Sequence, residues 1–338
     1  MRNCIFFLAL IITVSGCDEK QDVIYSSVNF KLVELSEGVY GCIHQIGGKA
    51  ICNVGVIDNG KETLIFDSFL SPGVARELVE VIDGLDLSPI KYVVNSHCHN
   101  DHIRGNQVFS PDVKIISTSK TAELIKEREP VEIENEKEYA PQAFAYYDSL
   151  YHAFTGDTTT REYLDILMWH PYYETLAESH FMVRTRIPDL FVDDQQDFNG
   201  PDRRTRIIAK GPGHSESDLI LYLPDDKILF SGDLVFNMYH PFIADGSIPG
   251  WKNWLDFLDS LDVDVVVPGH GEVGSKEVIA GMKEYFFTIK DLAKEMHNQG
   301  LTAEEAGTIE IPDQYKDWWF EQFFPSNLRF VHNQLNAE

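Results

Sequence analysis

The sequence predicts a layered α/β domain, because short apolar runs of the kind found in buried strands alternate with segments of helical periodicity. In the first half, the strand-like runs fall at 39–44, 50–57, 63–66, 91–95 and 113–116. A helix is predicted over 72–82, where apolar residues recur at helical spacing after a Ser-Pro pair that favours a helix start. With 338 residues, the chain is long enough for one large α/β domain with an insertion, and equally for two domains.

The second half of the sequence repeats this alternation. Strands are predicted at 206–209, 218–223, 227–230 and 264–267, the middle two as a hairpin. Helices are predicted at 251–261 and 276–297. Metal-binding residue types follow several of these strands, and open α/β sheets usually place their chemistry at strand ends. We therefore expect four strand ends to meet at one edge of the domain.

The densest cluster of such residues follows the apolar run Tyr92-Val93-Val94. Within six residues it contains His97, His99, Asp101 and His102. Imidazole and carboxylate groups suit zinc, and also iron or manganese. His97 and His99 lie two apart and can point the same way, whereas the adjacent Asp101 and His102 point differently. One loop can therefore serve two neighbouring metal positions.

The pattern H-x-H-x-D-H in this loop resembles the signature of the metallo-β-lactamase fold superfamily. Four further segments match motifs of that family in the same order, and they contain Asp67, His214, Asp233 and His270. The resemblance covers roughly residues 30 to 275, apart from a middle insertion. It implies a four-layer αβ/βα sandwich of two sheets, with the functional site along one edge.

The resemblance also implies a role for each of these residues. His97, His99 and His214 would hold one metal, whereas Asp101, His102 and His270 would hold a second. Asp233 would bridge both metals, and Asp67 would support the site without binding metal. Two Zn²⁺ ions per chain are expected, with iron or manganese as possible replacements. A hydroxide between the metals would attack the substrate, and Asp101 would act catalytically by moving the proton.

The implied activity is hydrolysis of an ester, thioester, lactone, amide or phosphodiester. Aspartate at position 233 resembles glyoxalase-type thioesterases, lactonases and phosphodiesterases, whereas members that destroy β-lactams usually have cysteine or serine there. A class B β-lactamase is the main alternative, since an exported enzyme would suit that role. A mononuclear iron persulfide dioxygenase using His97, His214 and Asp233 is a further alternative, as is a non-catalytic envelope binding protein.

The segment at about 118–200 departs from the alternating pattern and is rich in glutamate and aromatic residues. It is predicted to be a helical insertion, with amphipathic helices at 138–153 and 160–180. This insertion would form a lid or wall of the substrate pocket, or would only cover the sheet edge. His240, on a loop after Asp233, is a candidate substrate contact, with an ordinary loop histidine as the alternative.

The first residues resemble a bacterial lipoprotein leader. Arg2 precedes an apolar segment at 5–14 that is too short to span a bilayer, and a lipobox-like Val-Ser-Gly-Cys ends at Cys17. We expect a signal peptide at 1–16, lipidation of Cys17, a polar tether at 17–29 and the metallo-β-lactamase-like domain at 30–338. The protein would then be anchored to a membrane of the bacterial cell envelope. An ordinary secretory signal with an incidental cysteine is the alternative.

The formal net charge is −26, which argues against nucleic-acid binding because such a surface repels phosphate backbones. The expected partner is a small-molecule substrate. Cys42 and Cys52 flank a predicted hairpin turn and could form a disulfide in an oxidising compartment, but two small buried thiols are favoured. Cys98 is expected to point away from the metals and pack.

Overall fold

The computed structural model describes residues 22–335. The predicted leader and Cys17 lie outside these residues. Among the described helices, none combines the length and apolarity needed to cross a bilayer.

The first sheet contains eight strands that neighbour one another in chain order. Their bounds are β1 Val23–Ser26, β2 Phe30–Ser36, β3 Val39–His44, β4 Val54–Asp58, β5 Thr63–Phe66, β6 Ile90–Val94, β7 Lys114–Ser117 and β8 Leu190–Phe191. Pairing is antiparallel from β1 to β5 and parallel from β5 to β8. The parallel part is the part that leads into the histidine loop.

The second sheet has five strands in the order β13-β12-β11-β10-β9. Their bounds are β9 Gln195–Asn199, β10 Arg204–Ala209, β11 Leu219–Leu223, β12 Ile228–Phe230 and β13 Val265–Val267. β11 is antiparallel to both β10 and β12, and β12 is parallel to β13. Three strands, β10, β12 and β13, therefore run in one direction and end at the same edge.

Helices cover the outer face of each sheet. Their bounds are α1 Pro72–Asp83, α2 Asn100–Ile103, α3 Ser119–Ala153, α4 Arg161–Met182, α5 Ile248–Ser260, α6 Glu277–Asn298 and α7 Phe323–Leu335. As the Ser-Pro pair predicts, Ser71 caps α1 by accepting a hydrogen bond from the backbone N–H of Gly73 at 3.2 Å.

Three apolar layers hold the four layers of structure together. Val74 and Leu78 of α1 pack against the first sheet. Phe66 and Phe230 meet between the two sheets, with ring centroids 6.1 Å apart. Trp254 of α5 belongs to a third cluster with α6 and the outer face of the second sheet. The predicted αβ/βα sandwich is thereby confirmed.

The helical insertion is a long antiparallel pair, α3 and α4, and it differs from the prediction at both ends. α3 begins at Ser119, about twenty residues before the predicted start at 138, and contains Pro130 and Pro141. Because proline lacks the N–H that a helix interior needs, its presence weakens the sequence signal for one continuous helix. After α4, the chain forms the edge strands β8 and β9, so the helical part ends well before residue 200.

The predicted tether at 17–29 is wrong in its second half. Val23–Ser26 forms β1, the edge strand that pairs with β2. Three of its four residues are exposed, so the segment lacks the buried alternation by which a strand is usually recognised. The predicted strand at 50–57 is also shorter, because Ile51 adopts a left-handed backbone (φ 72°) and regular pairing begins at Val54.

The cysteines within the described residues are buried free thiols, which confirms the favoured alternative. Cys42 lies on β3, whereas the Cys52 thiol donates a hydrogen bond to the backbone oxygen of Asp101 at 2.8 Å. Cys98 packs in a small apolar cluster with Ile103 and Leu124. Its predicted packing role is confirmed.

Candidate metal centre

The predicted metal ligands come from four separate loops that meet at one edge of the sandwich. His97 to His102 follow β6, His214 follows β10, Asp233 follows β12 and His270 follows β13. Backbone hydrogen bonds join these loops: Leu219 N–H donates to Ser96 O at 2.9 Å, and Gly269 N–H donates to Gly232 O at 2.9 Å. The loops are thus fixed to one another as well as to their own strands.

Asp233 lies at the centre of the cluster. Its Oδ2 is 3.3 Å from His214 Nε2, 3.4 Å from His270 Nε2 and 3.9 Å from His97 Nε2. Its Oδ1 is 3.2 Å from His102 Nε2. One carboxylate therefore faces four imidazoles that come from three different loops, which is the position expected of a bridging ligand.

The ligand atoms fall into two groups that share Asp233. One group contains His97, His99, His214 and Asp233, with their ligand atoms within 4.8 Å of one another. The other contains His102, His270 and Asp233 at the same limit. Asp101 joins the second group, since its Oδ2 is 3.4 Å from Nε2 of both His102 and His270. The structure brings together all seven predicted ligands.

Four of the five imidazoles have one nitrogen held by a protein group and the other directed into the cluster. His97 Nδ1 lies 2.9 Å from Ser96 Oγ, and His270 Nδ1 lies 3.1 Å from the backbone oxygen of Ile51. His99 is reversed: its Nε2 lies 3.2 Å from Asp245 Oδ2, and its Nδ1 faces His214 Nε2 at 2.9 Å. Such contacts fix the ring orientation and the tautomer that a metal-binding histidine needs.

Asp67 supports two ligands at once. Its Oδ2 lies 2.8 Å from His102 Nδ1 and accepts a hydrogen bond from Ser96 Oγ at 2.8 Å. Ser96 in turn accepts from His97 Nδ1, so the chain His97–Ser96–Asp67 orients the first group while Asp67 orients His102 directly. Asp67 is fully buried and its backbone is left-handed (φ 66°), a conformation that aspartate tolerates.

The electrostatics of the site favour ionised carboxylates and keep two of its imidazoles, His97 and His214, neutral. Burial lowers the pKa of His214 to about 3 and also lowers that of His97, so both rings are neutral. Burial alone would raise the pKa of Asp233, but the charges of His270, His102 and His214 hold it well below its usual range. Burial likewise opposes ionisation of Asp101, but His102 lowers its pKa to about 2. The two carboxylates are therefore ionised, and His97 and His214 are neutral. Burial also opposes charge on His102 and His99, but Cys52 and Asp101 raise the pKa of His102, and Asp245 raises that of His99.

The donor atoms of this site fit a pair of divalent cations. Nε2 of His97 and His102 and Oδ1 of Asp233 are buried and make no hydrogen bond. Leaving a buried polar atom unpaired costs about 1–3 kcal/mol. Three such atoms would oppose folding if no ligand satisfied them, and nitrogen and carboxylate donors are the set that zinc prefers. A metal in each group would satisfy these atoms.

Gly269 and Asn53 are not ligands, but they shape the loop that carries His270. A Cβ at Gly269 would overlap Oδ1 of Asp233, so glycine is needed beside the bridging carboxylate. Asn53 is buried and donates from Nδ2 to the backbone oxygens of Pro268 and Gly271, at 2.9 and 2.7 Å. Asn53 thereby holds the turn that presents His270. The sequence gives no motif by which Asn53 could have been identified.

A cavity of about 300 Å³ opens onto the ligands. His99, Asp101, His214, Asp233 and His270 form its floor. Its walls include Met168, Trp169 and Tyr172 from α4 and Glu132 from α3, together with Phe242, Phe320 and Phe323 from the later part of the chain. The insertion therefore forms part of the pocket wall, which is one of the two predicted roles.

His240 is not a substrate contact in this structure. Its side chain is fully buried, and its Nδ1 lies 3.0 Å from the Tyr285 hydroxyl. The ring packs against Trp318 and Phe324 rather than lining the cavity. Loop position alone cannot show which way a histidine points, and here three aromatic rings of the C-terminal segment enclose it.

A buried ion triad joins the histidine loop to the insertion. Arg104 follows α2 and donates from Nε to Glu129 and from Nη2 to Glu136, both at 2.7 Å. Asn100 Nδ2 also donates to Glu136, at 3.2 Å. Because both glutamates lie on α3, this contact sets the position of the insertion relative to the ligands.

Comparisons with known proteins agree with this architecture. Residues 47–270 match the family model described as the metallo-beta-lactamase superfamily. The metallo-beta-lactamase type 2 of Bacillus cereus is 21% identical over 239 residues, which cover 69% of this chain and 72% of that protein. The acyl-coenzyme A thioesterase MBLAC2 of Homo sapiens is 31% identical over 103 residues, which cover 27% of this chain and 34% of that protein.

A solved structure extends the similarity of fold. The sec-alkylsulfatase Pisa1 from Pseudomonas sp. superimposes with a TM-score of 0.59 at 17% identity, over 90% of this chain. The present chain spans about half the length of that protein, 50%. At this identity the similarity concerns the fold alone.

Proposed function

Since this chain belongs to the metallo-beta-lactamase superfamily, we propose that it is a metallo-hydrolase with a dinuclear, zinc-binding centre. The observation that supports this most directly is the position of Asp233, whose two oxygens face four histidines from two ligand groups. The substrate would be an ester, thioester, lactone, amide or phosphodiester, each with an electrophilic carbon or phosphorus.

The residues of the chain divide the work as follows. Seven side chains would hold the cations: His97, His99, Asp101, His102, His214, Asp233 and His270. When bound, two divalent cations would lower the pKa of water and polarise the scissile bond. Asp101 lines the cavity and would take up and return a proton. The aromatic wall would limit the access of bulk water, and the contacts of Asp67 and Asp245 would keep the imidazoles oriented for metal binding.

A substrate panel tests this proposal. Protein purified without its leader and without chelator is assayed with carboxylic esters, thioesters, lactones, phosphodiesters and a chromogenic cephalosporin. We expect turnover of at least one class that is lost after chelation and returns with added Zn²⁺. Turnover that survives complete metal removal would contradict the proposal, as would a metal-loaded protein inactive on every class.

A β-lactamase is the second candidate, because the Bacillus cereus relative covers 69% of this chain. The aspartate at position 233 argues against it, given the cysteine or serine usual there in β-lactam-cleaving members. Preferred turnover of the cephalosporin over the esters in the same panel would establish this candidate.

We also propose that the protein is exported and held in the cell envelope by lipid on Cys17, with the short segment from 18 to 22 leading to the first strand. Cys17→Ser should move the protein from the membrane fraction to the soluble fraction of the envelope. Cys42→Ser is the matched control, since that thiol is buried on β3. Retention of Cys17→Ser in the membrane fraction would refute lipid anchoring at this residue.

A further inference from the structure

We infer that the part of the substrate that lies against the cavity wall is apolar and uncharged or cationic, and that Glu132 on α3 helps to reject anionic groups there. This inference deepens the proposed hydrolase function and rests on it. It is carried by the composition of the cavity wall and by the pairing of the basic groups near it with carboxylates.

The wall above the ligands is apolar and aromatic. It is lined by eight apolar or aromatic side chains, namely Ile51, Met168, Trp169, Tyr172, Phe236, Phe242, Phe320 and Phe323. Burial of an apolar group against such a surface stabilises a complex by roughly 25 cal/mol per Å² of area removed from water. An acyl chain or an aromatic ring therefore fits this wall better than a polar group does.

The charged side chains that line the cavity are acidic, apart from the histidine ligands. They are Asp101, Glu132, Asp233 and Asp245, and no lysine or arginine of the described chain lines the cavity with them. Asp101 and Asp233 belong to the metal centre. Of the other two, Asp245 is paired with His99 and Arg128, so Glu132 is the wall carboxylate left to face a substrate.

The basic residues near the cavity already have acidic partners. Arg128 pairs with Asp245 at 3.4 Å and with Glu216. Lys49 pairs with Glu174 at 2.8 Å. Arg104 is buried between Glu129 and Glu136. An anionic substrate would have to displace a carboxylate to use any of these cations.

Glu132 differs from the neighbouring glutamates of its helix. Glu129, Glu132 and Glu136 lie three and four residues apart, so they share one face of α3. Glu129 and Glu136 both pair with Arg104. Glu132, between them, forms no hydrogen bond or ion pair within the described residues. Glu132 is half-buried at the cavity, and burial raises its pKa although the charge of His99 opposes this.

An unpaired carboxylate at this position discriminates by charge. Near a protein surface, two unit charges 4 Å apart interact by about 4 kcal/mol, and the interaction falls inversely with distance. Glu132 would therefore repel a carboxylate-bearing substrate and attract an N–H donor or an ammonium group. The faces of Trp169 and Phe242 add a cation–π attraction for the same cationic group.

Three 4-nitrophenyl esters of similar acyl length test this with the metal-loaded enzyme at pH 8. They are the neutral pentanoate, the anionic monoglutarate and the cationic 4-(trimethylammonio)butyrate. We expect kcat/KM for the anionic ester to fall at least about tenfold below that for the neutral one, with the cationic ester no worse than the neutral one. An anionic ester hydrolysed as well as the neutral ester would overturn the inference.

The variant Glu132→Gln tests the assigned residue. It should raise the ratio of anionic to neutral kcat/KM by about three- to tenfold, because one repulsive charge is lost. Glu127→Gln is the matched control, since Glu127 is exposed on the same helix and does not line the cavity. If the ratio is unchanged in Glu132→Gln, or shifts equally in Glu127→Gln, then Glu132 does not select against anionic substrates.

Ligand binding separates this inference from the proposed function. 2-Naphthalenemethanol and 2-naphthoate share a ring but differ in charge, and each can be titrated against the fluorescence of the metal-loaded protein. Since the metals can bind the carboxylate of 2-naphthoate directly, each affinity is compared between the wild type and Glu132→Gln, which share the same metal ligands. We expect 2-naphthoate to bind Glu132→Gln about three- to tenfold more tightly than the wild type, and 2-naphthalenemethanol to bind both alike. If no ester is hydrolysed but this difference holds, the hydrolase proposal fails and the role of Glu132 stands. Equal affinity of the two proteins for 2-naphthoate overturns the role of Glu132.

Discussion

The metal centre and the cavity wall are held in different ways. Each ligand lies within a few residues of a strand end, and backbone hydrogen bonds tie its loop to a neighbouring loop. The wall residues Glu132, Met168, Trp169 and Tyr172 instead project from two long helices that contact mainly each other. The metal centre is therefore fixed by the sheets, whereas the shape of the pocket depends on how the insertion is attached to them.

The attachment itself is polar and local. The Arg104 triad joins the histidine loop to α3, and Thr121 Oγ1 donates to the backbone oxygen of Ser217 at 2.9 Å, close to His214. A small apolar cluster that includes Ile51, Leu70 and Leu176 completes it. Variants in these two regions should therefore have separable effects, on metal binding in one and on stability and pocket shape in the other.

The largest effect is expected from Asp233→Ala. Loss of the bridging carboxylate leaves both ligand groups without their shared anion, so activity should fall by more than about 10³-fold. Far-ultraviolet circular dichroism should stay close to wild type, because the sheets do not depend on this side chain. Asp112→Ala, at an exposed position, is the control. Substantial residual activity in Asp233→Ala would break the assignment of the centre.

Next in size is the effect of Arg104→Met on stability. It leaves Glu129 and Glu136 buried without their cation, which should cost about 3–5 kcal/mol of unfolding free energy in urea denaturation. The triple variant Arg104→Met, Glu129→Leu, Glu136→Leu should recover much of this loss, because the buried charges are then gone. A stability loss below about 1 kcal/mol for the single variant would show that the triad does not fix the insertion.

A smaller effect on the centre is expected from Asp67→Asn. Asparagine tolerates the same left-handed backbone, so the fold should persist while the orientation of His102 and of the Ser96–His97 pair is weakened. Metal affinity or activity should fall by about 10–100-fold. Competition with a zinc-binding chelator measures the affinity, and wild-type affinity in this variant would contradict the supporting role.

The smallest effect concerns pH and Glu129. Burial raises the pKa of this carboxyl to about 7, although Arg104 opposes the rise. Between the usual pKa of 4.5 and this raised value, the folded state holds a proton on Glu129 that the unfolded chain has released. The stabilisation that comes from protonated Glu129 is therefore fully present below pH 4.5 and is lost as pH rises through about 7. Between pH 5 and 8 the stability of Glu129→Gln should fall less than that of the wild type. The unfolding free energy of each protein is measured by urea denaturation at several pH values. An equal fall in the wild type and in Glu129→Gln would contradict this prediction.

How far the sequence predicts the molecule follows the same division between centre and wall. The ligands could be predicted because His97, Asp233 and His270 each follow a short apolar run by three residues, and the run itself marks a strand. Asp245 and Glu132 could not be predicted. Glu132 lies in an acidic stretch, and Asp245 lies in a loop without a motif; only the path of α3 and the 243–246 turn brings them to the cavity. His240 shows the converse error, since a histidine near the motif proved to be enclosed by aromatic rings.

The length of α3 shows a related limit. Pro130 and Pro141 weaken the local signal for a continuous helix, and the predicted helix begins only at 138, but α3 packs along α4 and continues through both prolines. The sequence does not predict the edge strands β1, β8 and β9, because their side chains are largely exposed and show no alternation between core and solvent. Such elements depend on neighbours distant in sequence, which a single sequence does not specify.

Metal content per chain tests the central claim most directly. It is measured by mass spectrometry on leaderless protein purified without chelator, in parallel with Asp233→Ala. We expect about two zinc ions per chain in the wild type and a clear loss of zinc in the variant. A single iron per chain would contradict the dinuclear zinc assignment, as would a wild type and a variant with the same metal content.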